Sequence, residues 1–529
     1  MKTRGWQRWI AGTSLLVGVV VAVPATIGAK PGGQAKGKPA AGARSLGDPL
    51  FPQLGNGGYD VEHYTIEIDY DPVANRFDAA SVEILATASQ HLSELSFDFQ
   101  DDFVVSAVTV NGRSARHRFE AATPSLSSDP VVTQPMKLVI VPHPSSWPKP
   151  GRPFTVRIDY AGNPRPIVDP DQTIEGWIPA CYPVDPPRTC DGAYVVGEPM
   201  GAQSWFPSNN HPTDKATFDT FITVPEEKTA LGVGELVSRV VNDDGTATWH
   251  WREDDPTATY LTTATVGDFL YTLESMMETS TGRQLPIYNA VDASATPAQL
   301  AAIDASLAAA PGQLDFLSDL YGPYPFDSTG AVADRAAGVG YALEVQTKPH
   351  YAGDFTTGDP SIAIDTQLHE LAHQWWGNSV TPRVWSDLWF SEGWVTWSTW
   401  HWEFVEGGGS DPAAIFDALY ASTPAADWAI APAVLDRDPA NLFLDFPTYD
   451  RAAMTLEGLR EIVGDETFFE LARALQVELR YGNISTAQFI DFAKQHSGLS
   501  GERLDLLDDY FQQWLYLETR PTLLPEDFD

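Results

Sequence analysis

His369 and His373 lie four residues apart in the segment HELAH, with Glu370 between them. On a helix that spacing sets both imidazoles on one face, one turn apart, so both can reach one metal ion while the Glu370 carboxylate stands beside them. Glu392 follows in WSDLWFSEGWVTWSTW. Two histidines and one glutamate form a ligand set of catalytic zinc, which keeps a further position open for water. The chemistry within reach is zinc-assisted hydrolysis with a neighbouring general base. A pair of ordinary surface or core histidines is the competing reading of HELAH alone, and Glu392 argues against it.

The elements that must position these groups are helices. Residues Pro360 to Trp376 read as one helix, with Asp359 as its cap, Pro360 in its first turn and Gly377 at its end. A second apolar-periodic helix begins at Glu392, and helical periodicity recurs from Pro297 to Leu320 and around Met454 and Phe468. Between about Tyr59 and Tyr260 the period is two instead. Tyr64, Ile66, Ile68 and Tyr70 alternate with polar residues, as do Phe154, Val156, Ile158 and Tyr160, and Asn111-Gly112 and Asp244-Gly245 mark turns. The expected architecture is α+β and multidomain, with an antiparallel β domain over 50–262 and a mostly helical domain over 263–529. The ending soon after QQWLYLETRP leaves no room for a third large domain.

The stretch HELAHQWWGNSVTPRVWSDLWFSEGW resembles, along its whole length, the zinc signature of the aminopeptidase N family of zinc peptidases. The resemblance runs from about Tyr59 to Pro525 and takes in YGPYPF and the FQQWL helix. It implies a short, two-domain member: a β saddle followed by a thermolysin-like catalytic domain, without the helical carboxy-terminal domain of many relatives. It implies one zinc per chain on His369, His373 and Glu392, with Glu370 as the general base for a zinc-activated water. The implied activity is removal of the amino-terminal residue from peptides with a free amine.

Recognition of that amine calls for carboxylates, which pair with an ammonium at close range. GVGYALEVQTKP is similar to the family's Gly-Ala-Met-Glu-Asn strand, which implies that Glu344 binds the amine and that Ala342 and Leu343 line the substrate site. Tyr341 stands for the family's glycine, Leu343 for its methionine and Val345 for its asparagine. GEPMGAQSWFPSNNHPTDKATF resembles the β-domain segment that folds over the active site, which implies Glu198 as the second amine ligand; Ser208 and Asn210 depart from the family's WFPCND. Tyr449 in FPTYDRAAMTLEGLR falls where the family has a tyrosine that supports the oxyanion.

Lys2, Arg4 and Arg8 precede an apolar run from Ile10 to Val23 and small residues Ala25, Gly28 and Ala29. This reads as a signal peptide over 1–29 of a secreted protein, with an uncleaved membrane anchor as the alternative. Residues 30–49, rich in Gly, Ala, Pro and Lys, are expected to be a disordered linker. In the oxidising compartment beyond, Cys181 and Cys190 are expected to close a short disulfide loop. The net charge of −38 excludes a nucleic-acid partner, and no other segment is apolar enough for membrane insertion. The tryptophans from Trp375 to Trp400 have helical spacing and read as core packing. A thermolysin-like endopeptidase and a noncatalytic binding protein on a peptidase fold are the remaining alternatives; Glu198 and Glu344 argue against the first, the complete ligand and base set against the second.

Overall fold

A computed structural model of the chain describes residues 38–182, 189–336, 339–352 and 360–528. The expected signal peptide and the first part of the linker lie outside the described residues. No helix among the described residues is long and apolar enough to cross a membrane.

The β half is built on an eight-stranded sheet. Its central strands, Tyr59–Asp71, Arg76–Ala88 and Pro153–Gly162, pair antiparallel, while Ala216–Pro225 joins Tyr59–Asp71 in parallel. The sheet is therefore mixed rather than wholly antiparallel. Alternation does what a period of two requires: Tyr64, Ile66, Ile68 and Tyr70 are buried, with Phe154, Val156, Ile158 and Tyr160 on the same core. At the hairpin after Phe103–Val110, Asn111 and Gly112 both take positive φ, 52° and 70°, the primed turn that suits a twisted pair of strands. A second sheet of five strands closes over this core and contains Ile174–Tyr182, Thr189–Val196 and Ala264–Gly267. Ala264–Gly267 belongs to the β half, so the change of layer falls just beyond the expected boundary at 262.

From Phe269 a further five-stranded mixed sheet leads into the helices, ending on the short strands His350–Ala352 and Ala342–Leu343. The helix Pro297–Tyr321, capped by Thr296 and Gln299, crosses between two of its strands. The remaining helices gather most of the expected tryptophans: Trp375, Trp376, Trp389, Trp394 and Trp397 are buried in one core with Phe468, Phe489 and Trp514, Trp400 packs half-buried against it, and Trp385 is buried in a separate cluster. The rings of Trp376 and Trp394 stack at 4.2 Å.

The linker expectation is corrected over its second half. Ala40–Ala41 adds a parallel strand beside Leu92–Asp98, and Arg44 reaches Glu94 and Glu120 at 2.5 Å each. Asp48 is buried; it accepts the Leu50 and Phe51 amides at 2.8 Å and, on its other oxygen, the Trp385 amide at 2.8 Å. Backbone pairing and two charged side chains order this segment, which a reading based on large apolar residues misses.

Candidate metal centre and active-site cavity

The HELAH helix spans Pro360–Ala372, and His373 stands in its closing turn, its amide still donating to the His369 carbonyl at 3.2 Å. The expected end at Trp376 is corrected to Ala372. Beyond it the amides of Asn378, Ser379 and Val380 bond the carbonyls of His373, Gln374 and Trp375, a spacing of five residues that widens the turn. Gly377 sits there at φ +124°, and a Cβ on it would come within 3.2 Å of His373 Nδ1. That nitrogen lies 2.9 Å from the Trp376 carbonyl, which assigns the ring proton to Nδ1 and leaves the Nε2 lone pair for a metal.

Glu392 lies in the first turn of the helix Trp389–Trp402. Gly393 beside it allows close approach to the helix Arg451–Val463, since a Cβ would stand only 2.8 Å from that of Ala452. The contact draws in Tyr449, on the wide turn Asp445–Asp450 that leads into Arg451. Arg451 is fully buried and anchors this entry, donating to the carbonyls of Trp428, Ile430, Gln513, Trp514 and Leu517 at 2.7–3.2 Å.

The donor atoms of His369, His373 and Glu392 all lie within 4.8 Å of one another, and Glu392 Oε2 is 3.3 Å and 3.5 Å from the two Nε2 atoms. That oxygen is buried and has no hydrogen-bond partner. The two imidazoles are its only ion-pair partners among the described residues, and a dication shared with them offsets the cost of burying its charge. The donor chemistry and convergence fit one zinc.

A cavity of about 250 Å³ opens on these donors. Its walls include every side chain implicated from the sequence: His369, Glu370, His373, Glu392, Tyr449, Glu344, Glu198, Ala342 and Leu343. Glu344, Glu370 and His373 also converge within 4.8 Å, so two carboxylates flank one imidazole of the candidate metal group. The ring of Tyr449 lies 6.2 Å from that of His369.

Electrostatics make the site hungry for cations. Burial pushes the Glu198 and Glu370 carboxyls well up and that of Glu344 up; Glu344 and Glu392 add to the rise at Glu198, while His373 pulls the other two back. Burial opposes charging His373, yet Glu392 and Glu344 lift its imidazolium to about 10, and burial of Glu392 is outweighed by His373 and His369, which bring it to about 2. Burial, reinforced by Glu392, raises the Tyr449 hydroxyl well above its ordinary value, which keeps its proton in place as a donor.

The sequence reading misses two kinds of residue. Asp171, Thr173 and Phe443 line the cavity without belonging to any recognisable motif. Gln374 and Asn378 stand inside the HELAHQWWGN motif but act on its neighbour: their amides donate to the Glu344 carbonyl at 3.3 Å and 2.7 Å, and Gln374 Oε1 accepts the Thr347 amide at 2.9 Å. The HELAH helix and the turn that follows it thereby hold the strand that carries Glu344.

Comparison with known proteins gives the site its setting. Residues 60–261 match the Peptidase M1 N-terminal domain and residues 354–514 the Peptidase family M1 domain. Endoplasmic reticulum aminopeptidase 1 of Homo sapiens is 29% identical over 342 residues, 60% of this chain and 34% of its own length. Aminopeptidase M1-C of Oryza sativa subsp. japonica is 28% identical over 332 residues, 59% of this chain and 36% of its own. The chain thus spans about a third of the length of these relatives. The M1 zinc metallopeptidase of Deinococcus radiodurans superposes with a TM-score of 0.72 at 24% identity, over 90% of this chain and 98% of its own. A mutant of that protein has been solved bound to a Tyr-Ser-Ala substrate, with the same TM-score of 0.72 and the same 24% identity, covering 90% of this chain and 99% of the mutant's. With both domain types present in order, and the zinc-signature residues gathered where the second meets the first, the chain belongs to the M1 family of peptidases.

Proposed function

We propose that this protein is a secreted zinc aminopeptidase that hydrolyses the first peptide bond of peptides with a free amino terminus. The observation that carries the reading is the pair Glu198 and Glu344. Both are buried in the wall of the metal-site cavity, Glu198 Oε1 has no hydrogen-bond partner, and neither carboxylate forms an ion pair with lysine or arginine among the described residues. An ammonium supplies the missing charge and donors. The names of the relatives as aminopeptidases, and the peptide bound to the Deinococcus neighbour, support the same reading.

Zinc on His369, His373 and Glu392 would supply Lewis acidity at the scissile carbonyl and make the attacking water more acidic. Glu198 and Glu344 hold the ammonium, which fixes the first carbonyl carbon over the metal donors. Glu370 accepts a proton from the attacking water and returns it to the leaving amine. The Tyr449 hydroxyl donates to the oxygen on which negative charge develops. Tyr449→Phe is expected to lower kcat more than it raises KM, because that donor acts only once the charge forms. A change confined to KM contradicts the assignment.

Leucyl and N-acetyl-leucyl substrates separate this reading from an endopeptidase. The free amine is expected to be cleaved at least tenfold faster in kcat/KM, about what removal of one charge-assisted hydrogen bond costs; equal rates favour the endopeptidase. Export is supported by the basic and apolar segments at the start of the chain and by the two cysteines. Cys181 and Cys190 face each other across a hairpin ladder, and no cysteine among the described residues is free. A bridge between them is part of the proposal; its Cys181 side chain lies outside the described ones. Alkylation with and without reductant tests the bridge, and a thiol that reacts without reductant contradicts it.

A further inference from the structure

The cavity carries more negative charge than these roles use. Five carboxylates line it, Asp171, Glu198, Glu344, Glu370 and Glu392, with no lysine or arginine among the described lining residues. Glu392 serves the metal, Glu370 the water, and Glu198 and Glu344 the ammonium. Asp171 is left over. Its Oδ1 accepts the amide and hydroxyl of Thr173 at 2.9 Å and 2.7 Å, which pins the side chain, and no cation pairs with it among the described residues. The loop that bears it is tied to the catalytic half: the Tyr341 hydroxyl donates to the Ile174 carbonyl at 2.7 Å. Within the loop, Asp169 N bonds Thr173 O at 3.0 Å and Gln172 N bonds Asp169 O at 2.8 Å. Tyr341, which stands for a glycine of the resembled strand, thus ties the residues following Asp171 to the catalytic half.

A peptide anchored by its amine at Glu198 and Glu344 and by its first carbonyl at the metal donors turns its first side chain toward the walls that remain. Those walls are Asp171, Thr173, Tyr341, Ala342, Leu343 and Phe443. An aliphatic stem packs along aromatic rings while its cationic end reaches a carboxylate. The net charge of −38 also favours approach of a cation. We propose that Asp171, with Tyr341 and Phe443, forms a subsite for a basic first residue, so that peptides beginning with lysine or arginine are the preferred substrates. This rests on the aminopeptidase reading.

The test compares lysyl with norleucyl substrates, which differ mainly in the side-chain charge, on the zinc-loaded full-length protein. The lysyl substrate is expected to exceed the norleucyl one about tenfold in kcat/KM, with an advantage that shrinks as salt is raised. Asp171→Asn is expected to bring the ratio close to one, and Asp171→Glu to retain a lysyl advantage. A wild-type ratio near one, or a ratio that Asp171→Asn leaves unchanged, overturns the proposal while cleavage of both free substrates leaves the aminopeptidase reading intact. If neither free substrate is cleaved, the reading of the site fails and this proposal with it. Should Asp171→Asn not fold, the wild-type ratio and its salt dependence decide.

Discussion

Glu370→Gln is expected to lower kcat by about 10²- to 10⁴-fold, the usual contribution of a positioned general base. The amide fills the same space but cannot accept the proton of the attacking water. Glu370 is buried beside His373 and stands outside the His369, His373 and Glu392 set assigned to the metal, so zinc content should stay at the wild-type level. KM should change far less than kcat, because the carboxylate acts on water rather than on the ammonium. Near-normal turnover in a zinc-loaded Glu370→Gln protein would show that another group takes the proton.

Glu344→Ala is expected to cut kcat/KM for free aminoacyl substrates by about one to two orders of magnitude. Removing one charge-assisted hydrogen bond from a desolvated site costs roughly 1.5 to 3 kcal/mol, which converts to that range. Acetylating the substrate removes the same interaction from the other side. The two losses should therefore overlap, and on acetylated substrate the mutation should cost little more. Equal penalties on free and acetylated substrates would mean that Glu344 shapes the strand without reading the amine. The clamp on its carbonyl from Gln374 and Asn378 keeps the backbone in place when the side chain is removed.

Much of the site is legible in the sequence because its chemistry is local. HELAH offers two candidate ligands and a candidate base on one turn of helix, and Glu392 follows on the next helix. Glu198, Glu344 and Tyr449 are reached through resemblance, and the cavity gathers all three. Asp171 and Phe443 cannot be read in the same way. Each enters the wall through long-range packing, Asp171 from a β-half loop and Phe443 from the segment before Tyr449, with no spacing to mark it. The fold shows the same division. Buried strands such as Tyr59–Asp71 reveal themselves by alternation, whereas the edge strand Phe269–Met277 is exposed along most of its length and fully buries only Met276, too little for alternation to mark it. The pattern overruns the last turn of the HELAH helix because Trp375 and Trp376 keep the apolar periodicity going after the hydrogen bonding has changed register.

Zinc titration of chelated protein, followed by hydrolysis of a free leucyl peptide, examines metal dependence and amine recognition together. Chelation is expected to abolish cleavage, and activity to return in proportion to added zinc, saturating at one ion per chain, as three converging ligands require. Cleavage that survives complete removal of metal, or metal-loaded protein that cleaves no free-amine peptide, would contradict the zinc aminopeptidase reading.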